Sequence, residues 1–137
     1  MHVVVSAARV QTFEEIEQNI RAFAGEPNGG LIVPPGPLMT ARRSSIVGFG
    51  ERYKLPAVFA FREDVQSGAL SSYGVNTPDL FRRAASYIDR ILKGEKAGNL
   101  PIQFATKFHL AINLKTAKAL GLDIPVGLLA RTDEVIE

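Results

Sequence analysis

Four short segments carry the residue types with which this chain could do chemistry: Ser6-Ala7-Ala8-Arg9, Pro34-Pro35-Gly36-Pro37, Phe61-Arg62-Glu63 and Ser72-Tyr73-Gly74. Each ends a stretch that reads as a β-strand, and in an open α/β sheet ligands collect outside the carboxyl ends of the strands. Together the segments offer small groups, exposed backbone, aromatic rings, guanidinium and hydroxyls. That set suits holding an organic solute and does not suit covalent work. The expected contacts are Pro35 and Phe61 as apolar walls and Arg62 and Ser72 as hydrogen-bonding groups. Tyr73 would stack or donate its hydroxyl, with Gly74 beside it. Each residue also has a purely structural reading. The prolines stiffen a loop, Phe61 belongs to the core with one edge exposed, Tyr73 finishes a strand, and Arg62 pairs with Glu63 or Asp64.

Other chemistries lack their residues. The chain has no cysteine and no tryptophan, which removes a disulfide scaffold and thiol catalysis. His2 and His109 lie far apart in sequence, and His109 reads as a structural residue in mid-strand. Gly48-Phe49-Gly50 falls late in a helix rather than between strand and helix, so it is no phosphate loop. No serine sits in a Gly-x-Ser-x-Gly setting. No catalytic residue, metal ligand or cofactor is therefore assigned. The sixteen Lys and Arg against fourteen Asp and Glu leave a net charge of +2. The basic residues are scattered, with only Arg42-Arg43 and Arg82-Arg83 adjacent, whereas nucleic-acid binding needs a clustered patch. No apolar run approaches the ~20 residues of a membrane span. The first residues, Met1 to Val5, lack the charged start and long apolar stretch of a signal peptide.

The elements that must position the four segments follow from local signals. Val3-Val4-Val5 predicts a buried strand running to Ala7 or Ala8. Thr12 and Glu15 form a capping box ahead of Phe13, Ile16, Ile20 and Phe23 at helical spacing. Leu31-Ile32-Val33 is wholly apolar, as in a parallel strand buried on both faces. Thr40 is the expected cap of the next helix, whose inward face holds Ile46, Phe49 and Tyr53. Gly48 and Gly50 weaken that helix by about 1 kcal/mol each relative to Ala, and close packing is the expected reason for them. Leu55 to Phe61 predicts a third strand, Arg62 to Val65 a helical turn, and Ala69 to Tyr73 a fourth strand ended by Gly74. Thr77 is the expected N-cap of a long helix with Pro78 at its first position and Asp79 facing the dipole. Its broad apolar face holds Leu80, Phe81, Ala84, Ala85, Ile88, Ile91 and Leu92, and Gly94 stops it. A strand over Phe108 to Ile112, an Asn113-capped helix ended by Gly121 and a last helix opened by Pro125 complete the chain. The order reads as α/β, a Rossmann-like three-layer lobe with a mainly parallel sheet, over residues 1–137.

Taken together, the pieces of the second half resemble a known family. Tyr73-Gly74 is followed by a helix ending Ile91-Leu92-Lys93-Gly94-Glu95-Lys96, then Leu100-Pro101, then Thr106-Lys107-Phe108. Asn113-Leu114-Lys115-Thr116-Ala117-Lys118-Ala119-Leu120-Gly121-Leu122 closes the series. With Gly30 to Pro35, Leu55 to Val58 and Leu70 to Gly74 ahead of it, this order resembles the substrate-binding proteins of ABC transporters, of the tryptophan- and tyrosine-binding type. The resemblance runs from about Gly29 to Glu137. It implies half of a type I periplasmic binding protein, namely the second of two α/β lobes that clamp a small solute such as an amino acid. Residues 77–105 would then be a crossover helix and hinge segment. It further implies delivery of the solute to an ABC permease, a periplasmic or extracytoplasmic setting, and a longer chain carrying an export signal and a first lobe. Without that lobe, the apolar face of the Pro78 to Lys93 helix needs another cover, and a homo-oligomer formed through this helix is the expectation. A ligand-sensing or interaction domain of a cytoplasmic regulator is the second function such a fold admits. An α/β enzyme lobe resting on His109 is the third.

Overall fold

The computed structural model describes residues 3–137, so His2 lies outside the described residues. Five strands form one sheet in the order β1-β2-β3-β4-β5, with β1 Leu31–Ile32, β2 Ala57–Phe59, β3 Ser71–Val75, β4 Phe108–Asn113 and β5 Glu134–Ile136. The pairs β1–β2, β2–β3 and β4–β5 are parallel, and β3–β4 is antiparallel. The α/β class and the mainly parallel sheet are as the alternation of elements predicted.

The helices arise where local chemistry favours them. α1, Phe13–Phe23, opens on the Thr12–Glu15 capping box. Pro37 starts α2, Pro37–Ala41, a turn earlier than expected, so Thr40 lies inside that helix instead of capping the next. A proline in the first turn loses no hydrogen bond and presets the helical φ. α3, Arg43–Arg52, then follows with Arg42 at its N-cap. A Cβ on Gly50 would lie 3.2 Å from the Leu55 carbonyl oxygen, so close packing accounts for that glycine; Gly48 faces open space. α4 covers Arg62–Gln66 and α5 Thr77–Leu92. The α5 N-cap is Asn76 rather than Thr77: its side chain accepts from the Asp79 N–H at 3.0 Å, which moves Pro78 to the second position. Asn113 caps α6, Leu114–Leu120, as expected, and Gly121 ends it in the left-handed region. α7 is Val126–Leu129.

Strand alternation divides the sheet into two faces. Leu31, Ala57, Phe59, Ser72, Gly74, His109, Ala111 and Glu134 share one face by register. Against it pack Ile16 and Ile20 of α1 and Ile46 of α3, which together with Val33, Leu55, Ala57, Phe59 and Ala69 form the core. Ile32, Val58, Tyr73, Val75, Phe108, Ile112 and Val135 share the other face. Ile112 is buried there, but Ile32 is 75% exposed, and Val58, Tyr73, Val75, Phe108 and Val135 also stand open. The expected two-sided burial of Leu31-Ile32-Val33 is thus corrected to one side, because only one face of β1 meets a helix. The expected strand at Val3 to Ala8 is absent as well: Val4 is 82% exposed and no segment of the described chain pairs with it. An extended segment becomes a strand only with a ladder partner. β2 is shorter than expected. β3 runs through Gly74 to Val75 instead of stopping before it. β5 was not expected at all.

Candidate functional site

At the carboxyl ends of β1 and β2 the chain leaves a shallow depression open to solvent. Its lining includes Pro34, Pro35, Thr40, Ala60, Phe61 and Asp64. Two of the expected contacts, Pro35 and Phe61, are therefore brought together. The depression is shaped from beneath by Asp64, which is buried. One carboxylate oxygen of Asp64 accepts the Phe61 N–H at 3.0 Å, and the other accepts from Arg43 Nε. A buried carboxylate needs such partners. Here they fix the backbone turn from β2 into α4, and so the direction in which Phe61 leaves the strand. Asp64 was not singled out from sequence, although its position three residues after the helix entry is the signal for a residue that reaches back to a free N–H.

Arg62, next in the chain, stands half exposed and is held by Glu134 of β5 rather than by Glu63 or Asp64. Its Nε and Nη2 both donate to that carboxylate, the second at 2.7 Å, so the pair is a two-pronged fork. The hydrogen bonds from Arg62 hold the Glu134 carboxyl below the usual carboxylate range, and those same bonds raise the arginine further above its ordinary value. A ligand carboxylate reaching Arg62 has either to use the remaining guanidinium edge or to displace Glu134. Sequence gave no signal for this partner, which lies 72 positions away on a strand of three residues.

The remaining candidates separate. Ser72 is only 1% exposed and lies on the helix-covered face, so the expected hydrogen bond from Ser72 to a solute is corrected: the residue is sealed from it. Gly74 faces the β2 backbone. A Cβ there would come within 1.9 Å of the Ala60 carbonyl oxygen, so this glycine lets β2 turn towards Phe61. Tyr73 points to the opposite face, where its ring stacks on Phe108 with centroids 5.5 Å apart. Ser6 to Arg9 is exposed chain outside the sheet. His109 sits opposite Gly74 in β4, and its buried Nδ1 has no hydrogen-bond partner among the described residues. Among the described residues no group of three His, Cys, Asp or Glu side chains is arranged to hold a metal. No described helix is long and apolar enough to cross a membrane.

Beyond the sheet, α5 and the returning chain make an arm. Arg83 donates to Gln103, to the Phe104 carbonyl and to Thr106, and the Tyr87 hydroxyl donates to the Pro101 carbonyl. At its root the buried Asp79 meets Lys107 at 3.0 Å, and the Asn76 N–H donates to the Lys107 carbonyl.

Compared with known families, the chain matches the one described as ABC transporter substrate binding protein over residues 1–136. A tyrosine-binding protein of Clostridioides difficile is 26% identical over 113 residues, covering 82% of this chain and 32% of that protein. The crystal structure of a conserved domain protein from Vibrio cholerae superposes with a TM-score of 0.77 at 24% identity, over 89% of this chain and 41% of that one. An ABC domain from Streptococcus pneumoniae in complex with L-Trp gives 0.76 at 24% identity, over 90% and 42%. At that identity the likeness concerns the fold. The chain spans about a third of the length of the curated relative and about two fifths of the solved structures.

Proposed function

Because the chain belongs to the family of ABC transporter substrate-binding proteins, a family of binding proteins rather than enzymes, we propose that it supplies one side of a solute-binding cleft in an uptake system. Residues 1–137 act as one α/β lobe of a two-lobe clamp, and residues 77–105 lead out towards the other lobe and back. The observation that carries this reading is the depression at the ends of β1 and β2, bounded by Pro35 and Phe61 with Arg62 beside them. It lies at the carboxyl edge of the parallel strands, where open α/β sheets take their ligands.

The division of labour follows from the geometry. Phe61 and Pro35 give an apolar surface for a flat or aromatic side chain. Arg62 meets the solute's carboxylate with the part of its guanidinium that Glu134 leaves free. Tyr73 faces away from the depression and stacks on Phe108, and Ser72 and Gly74 support the strand that carries the site. Relatives named for tyrosine and L-Trp make free aromatic amino acids the first solute class to test. The partners are the small solute and an ABC permease that receives it outside the cytoplasm.

A half-cleft covers one side of its ligand, and pockets that bind tightly bury most of it. The account therefore predicts weak, saturable binding, with a dissociation constant of about 1 mM, or about −4 kcal/mol. Titration calorimetry with L-tryptophan, L-phenylalanine and small carboxylates measures this. Micromolar binding by this chain would contradict the half-cleft. The absence of saturable binding by any of these solutes at concentrations well above that constant would contradict solute contact altogether.

A further inference from the structure

Two opposite charges stand side by side at the edge where β1, β2 and β3 end. β4 runs antiparallel to β3, and β5 runs parallel to β4, so the first residues of β4 and β5 lie at that same edge. Glu134, the first residue of β5, thereby comes within reach of Arg62, the first residue of α4. The pair is made inside this chain, so it does not depend on any other body that covers the edge. The fork leaves hydrogen-bonding capacity unused on both partners. A guanidinium has five N–H donors and a carboxylate about four acceptor sites. Two donors meet two acceptor sites, and among the described residues neither side chain has a further partner. Both remain open to solvent, Arg62 at 49% and Glu134 at 23% side-chain exposure. The other acids of this edge are placed differently. Asp64 spends both oxygens on Phe61 and Arg43, Asp133 accepts the Leu110 N–H at 2.8 Å, and Glu63 stands exposed on α4.

We infer that the Arg62–Glu134 pair recognises the charged end of a free α-amino acid as a unit: the open donors of Arg62 take the solute's carboxylate, and Glu134 accepts from its ammonium. The inference rests on the solute reading and deepens it, because it makes Glu134 the residue that separates an amino acid from a plain carboxylate. In an α-amino acid the ammonium and the carboxylate sit on one carbon, so they present two adjacent opposite charges to the two of the pair. A carboxylate without the ammonium also finds Arg62, but it brings its charge up against Glu134, and like charges set together across an interface are costly. The ammonium removes that repulsion and adds charge-assisted hydrogen bonds to Glu134. The fork therefore need not open for an amino acid to bind.

NMR shift titrations compare L-tryptophan with 3-(indol-3-yl)propionate, which keeps the ring and the carboxylate and lacks the ammonium. Both ligands are run on the unmodified chain and on Glu134→Gln, with circular dichroism to check that the variant folds. The expected result is that the unmodified chain binds L-tryptophan about fivefold more tightly, the upper range for a partly exposed charge pair. In Glu134→Gln that preference is lost, and the propionate binds as well as before or better. Equal binding of the two ligands by the unmodified chain would overturn the inference, and this comparison stands even where the variant fails to fold. So would a preference that survives Glu134→Gln, or a variant that weakens both ligands alike, which would make Glu134 a support for Arg62 and no more. These outcomes leave the solute reading intact. The absence of saturable shifts with either ligand is the distinct result that removes the solute reading and this inference with it.

Discussion

The sheet-and-helix body and the α5 arm are equally well patterned in sequence, yet they end in opposite environments. In the body, α1 and α3 turn their apolar stripes onto β1 and β2, and Ile46 and Val65 lose nearly all contact with solvent. In the arm, the 16-residue α5 has a stronger stripe, but Asp79 is its one buried residue. Its polar side is tied down while its apolar side is bare. A helix whose apolar face stays open draws its stability from caps and side-chain bonds to the returning chain, because most helical stability otherwise comes from packing that face. The contrast assigns the two regions different work. The body packs the core and carries the depression beside Phe61, whereas the arm keeps Phe81, Ile88 and Leu92 exposed.

The contrast predicts unequal responses to substitution. Ile46→Ala in the body leaves a cavity in packed core and is expected to destabilise by about 2–5 kcal/mol in chemical denaturation. An equal cost for Leu92→Ala in the arm would break the distinction. Gly74→Ala forces a methyl against the Ala60 carbonyl, with an expected cost of about 1–3 kcal/mol or more. An unchanged stability with altered solute binding would instead make Gly74 a ligand contact. Removing the cap by Asn76→Ala costs about 1 kcal/mol, and hydrogen exchange should place that loss in the first turns of α5 and not in β1 or β2.

Glu134→Gln sharpens the account of the fork to Arg62. The folded Glu134 titrates below its ordinary range because Arg62 donates to it. Its contribution to stability is therefore present above the usual glutamate value of about 4.3 and is lost as pH falls through the lower folded value. The Gln variant should flatten that acid limb of the stability profile, and an identical acid limb in both proteins would contradict the pairing. The smallest expected effect is that of Leu92→Ala itself, within about 0.5 kcal/mol for the monomer, as for exposed positions generally.

What was legible in the sequence was whatever short-range chemistry decides. The Thr12–Glu15 box, the Asn113 cap, the α5 stripe and the strand cores at Leu31 and Ala57 all act within a few residues. What was not legible depends on register and on distant partners. Ser72 and Tyr73 are neighbours in sequence, and only the pairing of β3 with β4 sends one inward and the other out. Asn76 and Thr77 are both good caps, and nothing local chooses between them. Val3 to Val5 has the pattern of a strand but no described ladder to join. β5 is too short to announce itself, yet it supplies Glu134, which occupies one edge of the Arg62 guanidinium.

The central claim is that solute meets this chain at the ends of β1 and β2 and nowhere on the arm. Backbone amide NMR shifts during titration with L-tryptophan test it most directly. The account predicts saturable shifts confined to the non-proline residues of 33–40, to 60–64 and to Glu134, reduced by Arg62→Ala. Shifts centred on α5 or on the Tyr73–Phe108 face, with residues 60–64 unmoved, would contradict it.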